Sequence, residues 1–161
     1  MEKKISCGAL ICSEKGFLAL HPTGRKHEFG CYDIAKGCLE NNDSIYETIQ
    51  REIYEETGIV LEEIGQYTPV RFTNCGINSY LKEKDLALYI IEIQNTDKYF
   101  NFNCSSYFEE PKTGIEYPEM DGYKWTRDTK YYFKSLQNVL NKLREDNPII
   151  DETLKKYEQH D

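Results

Sequence analysis

GCLENNDSIYETIQREIYEETGI, the stretch from Gly37 to Ile59, reads as a loop that runs into a strongly acidic helix. Its apolar positions fall at Ile45, Ile49 and Ile53, a spacing of four that lays one stripe along a helix and turns it toward a core. Ser44, followed three residues later by Glu47, reads as a capping box, with Asp43 one position earlier as a rival N-cap. Gly58 stands where a helix needs a left-handed residue just past its end, so the helix is predicted to stop near Thr57. Glu52 has Glu55 and Glu56 three and four residues on, which puts all three on one edge of the helix beside the isoleucine stripe. Crowded carboxylates repel one another and take up protons unless a cation neutralises them. A hard, oxygen-seeking ion such as Mg²⁺ suits that role. Arg51 is placed to pair with Glu47 or Glu55 and steady the cluster. The competing reading is an ordinary solvated acidic face.

The same stretch resembles the signature of the Nudix hydrolases. That signature is Gly, five residues, Glu, seven residues, then Arg-Glu-apolar-x-Glu-Glu-x-Gly-apolar. Here Gly37 leads to Asp43 and then to Arg51-Glu52-Ile53-Tyr54-Glu55-Glu56-Thr57-Gly58-Ile59. Asp43 departs from the usual Glu; it keeps the charge and shortens the reach by one methylene. The resemblance implies an α/β fold, a Nudix-type α/β/α sandwich around a mixed sheet, as one domain over residues 1–161. It implies hydrolysis of a pyrophosphate bond, with Glu52, Glu55 and Glu56 holding Mg²⁺ or Mn²⁺. Glu52 or a later acid would take the proton from water, and Arg51 would orient the carboxylates by pairing with Asp43 or a helix glutamate. The family also often uses the backbone at the glycine before the helix for metal, which makes Lys36 and Gly37 candidates. Some relatives carry Pro-Lys-Gly or Pro-Gln-Gly there; this chain has Ala35-Lys36-Gly37, a partial match to enzymes of dinucleoside polyphosphates and RNA 5′ ends.

Upstream, ISCGALICS (Ile5 to Ser13) is apolar almost throughout and reads as a strand buried on both faces, with Gly16 turning into a partner strand at Phe17–Leu20. The loop HPTGRKHEFG then gathers His21, Arg25, Lys26 and His27, groups complementary to phosphate oxygens. Downstream, Tyr67–Thr73 and Leu86–Ile93 read as strands, the second central, joined by a turn-rich Asn74–Ser79. From Lys98 to Tyr117 six aromatics are interleaved with Asn, Ser, Pro and Gly. They either cover the sheet or stack a purine base. Glu119, six residues before Trp125, resembles the position where several Nudix enzymes supply one more catalytic or metal-binding carboxylate; Glu116 and Asp121 flank it. Phe133, Leu136, Leu140 and Leu143 mark a helix, and Asn147-Pro148 starts a last one. Both are expected on the sheet face opposite the acidic helix.

The 161 residues carry a net charge of −8 and a pI near 5.0, which argues against broad binding to nucleic acid or anionic membranes while leaving one nucleotide or one RNA end open. No apolar run has transmembrane length, and Met1-Glu2-Lys3-Lys4 does not begin a signal peptide. The six cysteines show no metal-binding spacing, so free thiols in a reducing cytoplasm are expected. The substrate readings are, in order, a dinucleoside polyphosphate or ADP-ribose-like nucleotide, an RNA 5′ end, a damaged nucleoside triphosphate, and a nucleotide bound by a non-catalytic sensor. Family habit adds a homodimer as a further expectation.

Overall fold

The computed structural model describes residues 3–94 and 101–158. Its middle strand is β1 (Lys4–Ser13), almost wholly buried, as its unbroken apolar run requires. One edge of β1 pairs in parallel with β5 (Lys84–Ile93). The other edge is shared: β2 (Gly16–Pro22) pairs antiparallel near Cys12, and β3 (Ala35–Cys38) pairs antiparallel from Ser6 to Ala9. Outward lie β4 (Val70–Leu81) beside β5 and β8 (Met120–Thr126) beside β2, giving the order β4-β5-β1-β2-β8. A short hairpin of β6 (Tyr107–Glu109) and β7 (Glu116–Pro118) stands apart from this mixed sheet.

Helix α1 (Ile45–Thr57) begins and ends where its sequence says. The Ser44 hydroxyl accepts from the Glu47 N–H at 3.0 Å, and Gly58, at φ +79°, donates its N–H to the Tyr54 carbonyl. Ile49 and Ile53 are buried against one sheet face with Ala9, Ile11, Leu18 and Ile91. The opposite face is covered by α3 (Lys134–Asp146) and α4 (Pro148–Glu158), whose Leu136, Val139, Leu140, Leu143, Ile150 and Leu154 meet Leu10, Phe17, Leu88 and Ile90. The Asn147 side chain caps α4 by accepting from the Ile149 and Ile150 N–H groups. Two helical layers thus enclose the sheet, and no helix among the described residues is long and apolar enough to cross a membrane.

Three local expectations change. A short helix α2 (Leu61–Gly65) precedes β4 and burrows Leu61 and Ile64 into the α1 side, so the strand starts at Val70 and not at Tyr67. Asn74–Ser79 is not a connection; it lies inside β4 as a bulge. Asn74 Oδ1 accepts from the Gly76 N–H at 2.8 Å and Gly76 sits at φ +74°, so the turn-forming residues kink a strand that continues to Leu81. The central strand is β1, with β5 interior beside it.

Glu92, on β5, is buried yet charged. Burial alone would raise its pKa, but hydrogen bonds from Lys156 at 2.8 Å and the Tyr157 hydroxyl at 2.5 Å, both on α4, hold it below the ordinary carboxylate range. Tyr157→Phe removes one donor to that carboxylate and is expected to lower stability by about 2 kcal/mol, read as a denaturation midpoint. A midpoint equal to that of the unsubstituted protein would mean that the Lys156 ammonium satisfies the Glu92 carboxylate without the Tyr157 hydroxyl.

Candidate active site

The acidic edge of α1 faces β3, and the contact is close. A Cβ on Gly37 would overlap the carboxyl group of Glu52, so glycine leaves the space in which that carboxyl lies. One turn on, Glu56 is 2% exposed and its Oε2 is buried with no hydrogen-bond partner among the described residues. The last turn of α1 is strapped from outside: the Glu55 carbonyl accepts from the Ser105 N–H at 2.7 Å, and the Tyr123 hydroxyl donates to the Glu56 carbonyl at 2.5 Å. Glu119 sits between β7 and β8, fixed through its backbone to Ser106 at 2.8 Å and Thr23 at 3.0 Å. Arg51 pairs with Asp43 at 2.7 Å, so the shorter acid still reaches across from the loop to the helix.

The electrostatics follow from this packing. Burial, the Glu55 charge and a smaller contribution from Glu119 push the Glu52 carboxyl up to about 7, with Arg51 opposing. Burial, then Glu52 and Asp33, push Glu56 up to about 9, with Lys36 opposing. Lys36 is itself held by Asp33, Nζ to Oδ2 2.8 Å. Burial, the largest influence, would lower the lysine's pKa, but the Asp33 charge and hydrogen bond, with Tyr80 and Glu56, together outweigh it and keep the ammonium protonated. Carboxyl groups crowded this way, one oxygen unpartnered and a glycine keeping Glu52 in place, are what a hard divalent cation would neutralise. The donor set fits such an ion.

The structure therefore brings together Lys36, Gly37, Glu52, Glu55, Glu56 and Glu119. The other expected phosphate contacts have different surroundings. His21 does not project from a basic loop: it belongs to β2, is 1% exposed, and both ring nitrogens face protein groups, Asp121 at 2.5 Å and the Lys26 carbonyl at 3.0 Å. The reason is that β2 runs on through Pro22, so strand pairing carries His21 inward. Arg25 lies over the Phe133 ring at 5.3 Å, and Lys26 is exposed.

The sequence reading also missed Asp33, buried just before β3 where its backbone bridges to Leu20 and its Oδ1 accepts from the Ile34 N–H. A lone acid between Tyr32 and Ile34 was the available signal. The aromatic segment divides. Tyr99 and Phe100 lie outside the described residues. Phe102 stacks on Tyr123 at 4.7 Å against the α1 side of the core. Phe108 and Tyr117 face outward on the hairpin and, with Thr23, Gly24 and Glu110, line a pocket of about 380 Å³.

Residues 2–127 match the NUDIX domain as a family. A 17.7 kDa protein from the e-segB intergenic region of Enterobacteria phage T4 is 31% identical over 150 residues, covering 88% of this chain and 95% of that protein. Among solved structures, the MutT protein of Methanosarcina mazei Go1 is similar at TM-score 0.57 and 20% identity, covering 91% of this chain and 96% of that one. An Ap4A hydrolase binary complex from C. elegans is similar at TM-score 0.59 and 15% identity, covering 91% and 98%. A bifunctional NMN adenylyltransferase/ADP ribose pyrophosphatase from Francisella tularensis, complexed with AMP and a Mn ion, is similar at TM-score 0.58 and 13% identity; the match covers 89% of this chain and 42% of that protein. At these identities the likeness to solved structures is one of fold.

Proposed function

The chain belongs to the Nudix family, and on that footing we propose that it hydrolyses a pyrophosphate bond in a nucleoside diphosphate-linked substrate, a dinucleoside polyphosphate or an ADP-ribose-like nucleotide first. We assign the reaction to one domain over residues 1–161, because α3 and α4, past the matched segment, complete the same core. The observation that carries the reading is the buried, crowded acid edge of α1 with its unpartnered Glu56 oxygen.

Glu52, Glu55, Glu56 and Glu119, with the backbone at Gly37, are the groups that would hold Mg²⁺ or Mn²⁺. When bound, such an ion neutralises phosphate charge and makes water more acidic. The chain's own part is positional and acid–base. Glu52 or Glu119 takes the proton from the attacking water. The Arg51–Asp43 pair ties the loop to the helix, and Asp33 aims the Lys36 ammonium beside Glu56, where it complements phosphate. The Thr23 N–H bond to the Glu119 carbonyl links this site to the hairpin pocket. Phe108 and Tyr117 offer ring faces there, and Glu110 offers an acceptor for a base's amino group. Phe108→Ala is expected to raise KM about tenfold with kcat little changed, as the loss of one stacking contact predicts. An unaltered KM would place the base elsewhere.

The test is a phosphate-release screen with Mg²⁺ and with Mn²⁺ over diadenosine polyphosphates, ADP-ribose, nucleotide sugars, NADH, nucleoside triphosphates and a short 5′-triphosphate RNA. A dominant signal on one of the first two classes supports the proposal. Silence over the whole panel, with nucleotide binding still seen by calorimetry, would instead make the protein a sensor.

A further inference from the structure

A second cluster lies away from the acid edge, where the end of β2, the loop after it and β8 meet. His21 on β2 faces Asp121 on β8, and the ring of His27, from the loop, stacks on His21 with centroids 3.6 Å apart and planes 11° apart. One ligand atom from each residue lies within 4.8 Å of the other two. We propose that His21, His27 and Asp121 form a separate site for a borderline transition-metal ion such as Zn²⁺, Co²⁺ or Ni²⁺, which fastens the loop to β8.

The hydrogen bonds of His21 set its chemistry. Its Nε2 faces the Lys26 carbonyl at 3.0 Å, and a carbonyl only accepts, so Nε2 carries a proton. The remaining nitrogen, Nδ1, faces Asp121 Oδ1 at 2.5 Å, which leaves that nitrogen and the carboxylate to share one cation. Imidazole ligands of metals commonly donate their other N–H to a carbonyl in this way, which fixes tautomer and ring orientation. Packing adds to the lock: His21 is 1% exposed and its ring stands edge-on to Tyr32 at 5.1 Å. The other two groups lie nearer solvent, His27 with its Nδ1 at 3.4 Å from the Tyr32 hydroxyl. His27 is exposed and Asp121 is 36% exposed in its side chain. Two ligands on one Zn²⁺ stand about 3.3 Å apart, so Asp121 must draw back slightly and His27 must tilt out of the stack.

The donor set decides the ion. Two imidazoles and one carboxylate suit Zn²⁺ and its neighbours, with a fourth position left for water. Mg²⁺ takes oxygen ligands and belongs at the α1 carboxylates. The two sites therefore differ in hardness and can be filled independently. Occupancy would pin the loop bearing Arg25 and Lys26 to β8, two residues from Glu119.

The experiment is calorimetric titration of the full chain with Zn²⁺ in excess Mg²⁺, together with visible and near-ultraviolet absorption of the Co²⁺ form. One equivalent is expected to bind, weakened at least about tenfold by His27→Ala and by Asp121→Asn and unchanged by Glu56→Gln. Both substituted positions are solvent-facing, so folding is retained and circular dichroism checks it. Equal affinity in both cluster variants would overturn the proposal, as would loss of binding in Glu56→Gln. So would thiolate absorption from Co²⁺, which would assign the ion to Cys31 or Cys38.

Discussion

Glu56→Gln is expected to lower turnover at least about a hundredfold while raising the stability of the metal-free protein. The first effect follows from removing a charge that the site uses, at nearly constant shape. The second follows from linkage. The Glu56 carboxyl ordinarily titrates at 4.5 and is pushed up to about 9 in the folded chain, first by burial and then by Glu52 and Asp33. Between those values the folded state keeps a proton that the unfolded state has lost. Stability from this group is therefore full below pH 4.5 and drains away as pH rises toward 9. Glutamine carries no such penalty. At pH 8 in a chelator the variant is expected to melt several degrees above the unsubstituted protein, a gap that closes near pH 5 and that Mg²⁺ narrows by stabilising the protein with Glu56 more than the variant. Turnover within threefold of normal, or a lower melting point at pH 8, would remove Glu56 from the site.

Gly37→Ala is the second large effect. The added methyl group would occupy space now held by the Glu52 carboxyl, so either Glu52 swings away or β3 lifts from α1. Activity is expected to fall tenfold or more, with a stability loss of about 1 kcal/mol, because the clash is local and the strand backbone itself is unstrained. Gly65→Ala, where a Cβ meets nothing within 4 Å, serves as the control and should leave kcat unchanged. Parallel loss in both variants would point to a general packing effect.

The parts of this molecule that were legible in sequence are those set by short-range chemistry. The α1 boundaries could be read because Ser44 and Gly58 satisfy local backbone groups, and its buried face because the isoleucine spacing is helical. Asn147 and the leucines of α3 could be read for the same reasons. What escaped depends on partners distant in the chain. His21 looks like part of a basic loop until β8 arrives to pair with it and Asp121 claims its nitrogen. Asn74-Cys75-Gly76 has the composition of a turn, and only the continued pairing with β5 makes it a bulge. Asp33 acquires its role from Lys36 and from the approach of Glu56. The close fit of Gly37 to Glu52 was visible solely as a motif; its steric reason appears once β3 lies on α1.

The most direct test of the acid edge as a cation site is calorimetric titration with Mg²⁺ at pH 7.5 in two buffers of different ionisation enthalpy. Ordinary carboxylates are already ionised at that pH and release nothing. Here Glu56, at about 9, and in part Glu52, at about 7, still hold protons that the ion must displace. Release of roughly one proton per Mg²⁺, falling sharply in Glu56→Gln, is the predicted result. Binding without proton release, or the same release in the variant, would contradict it.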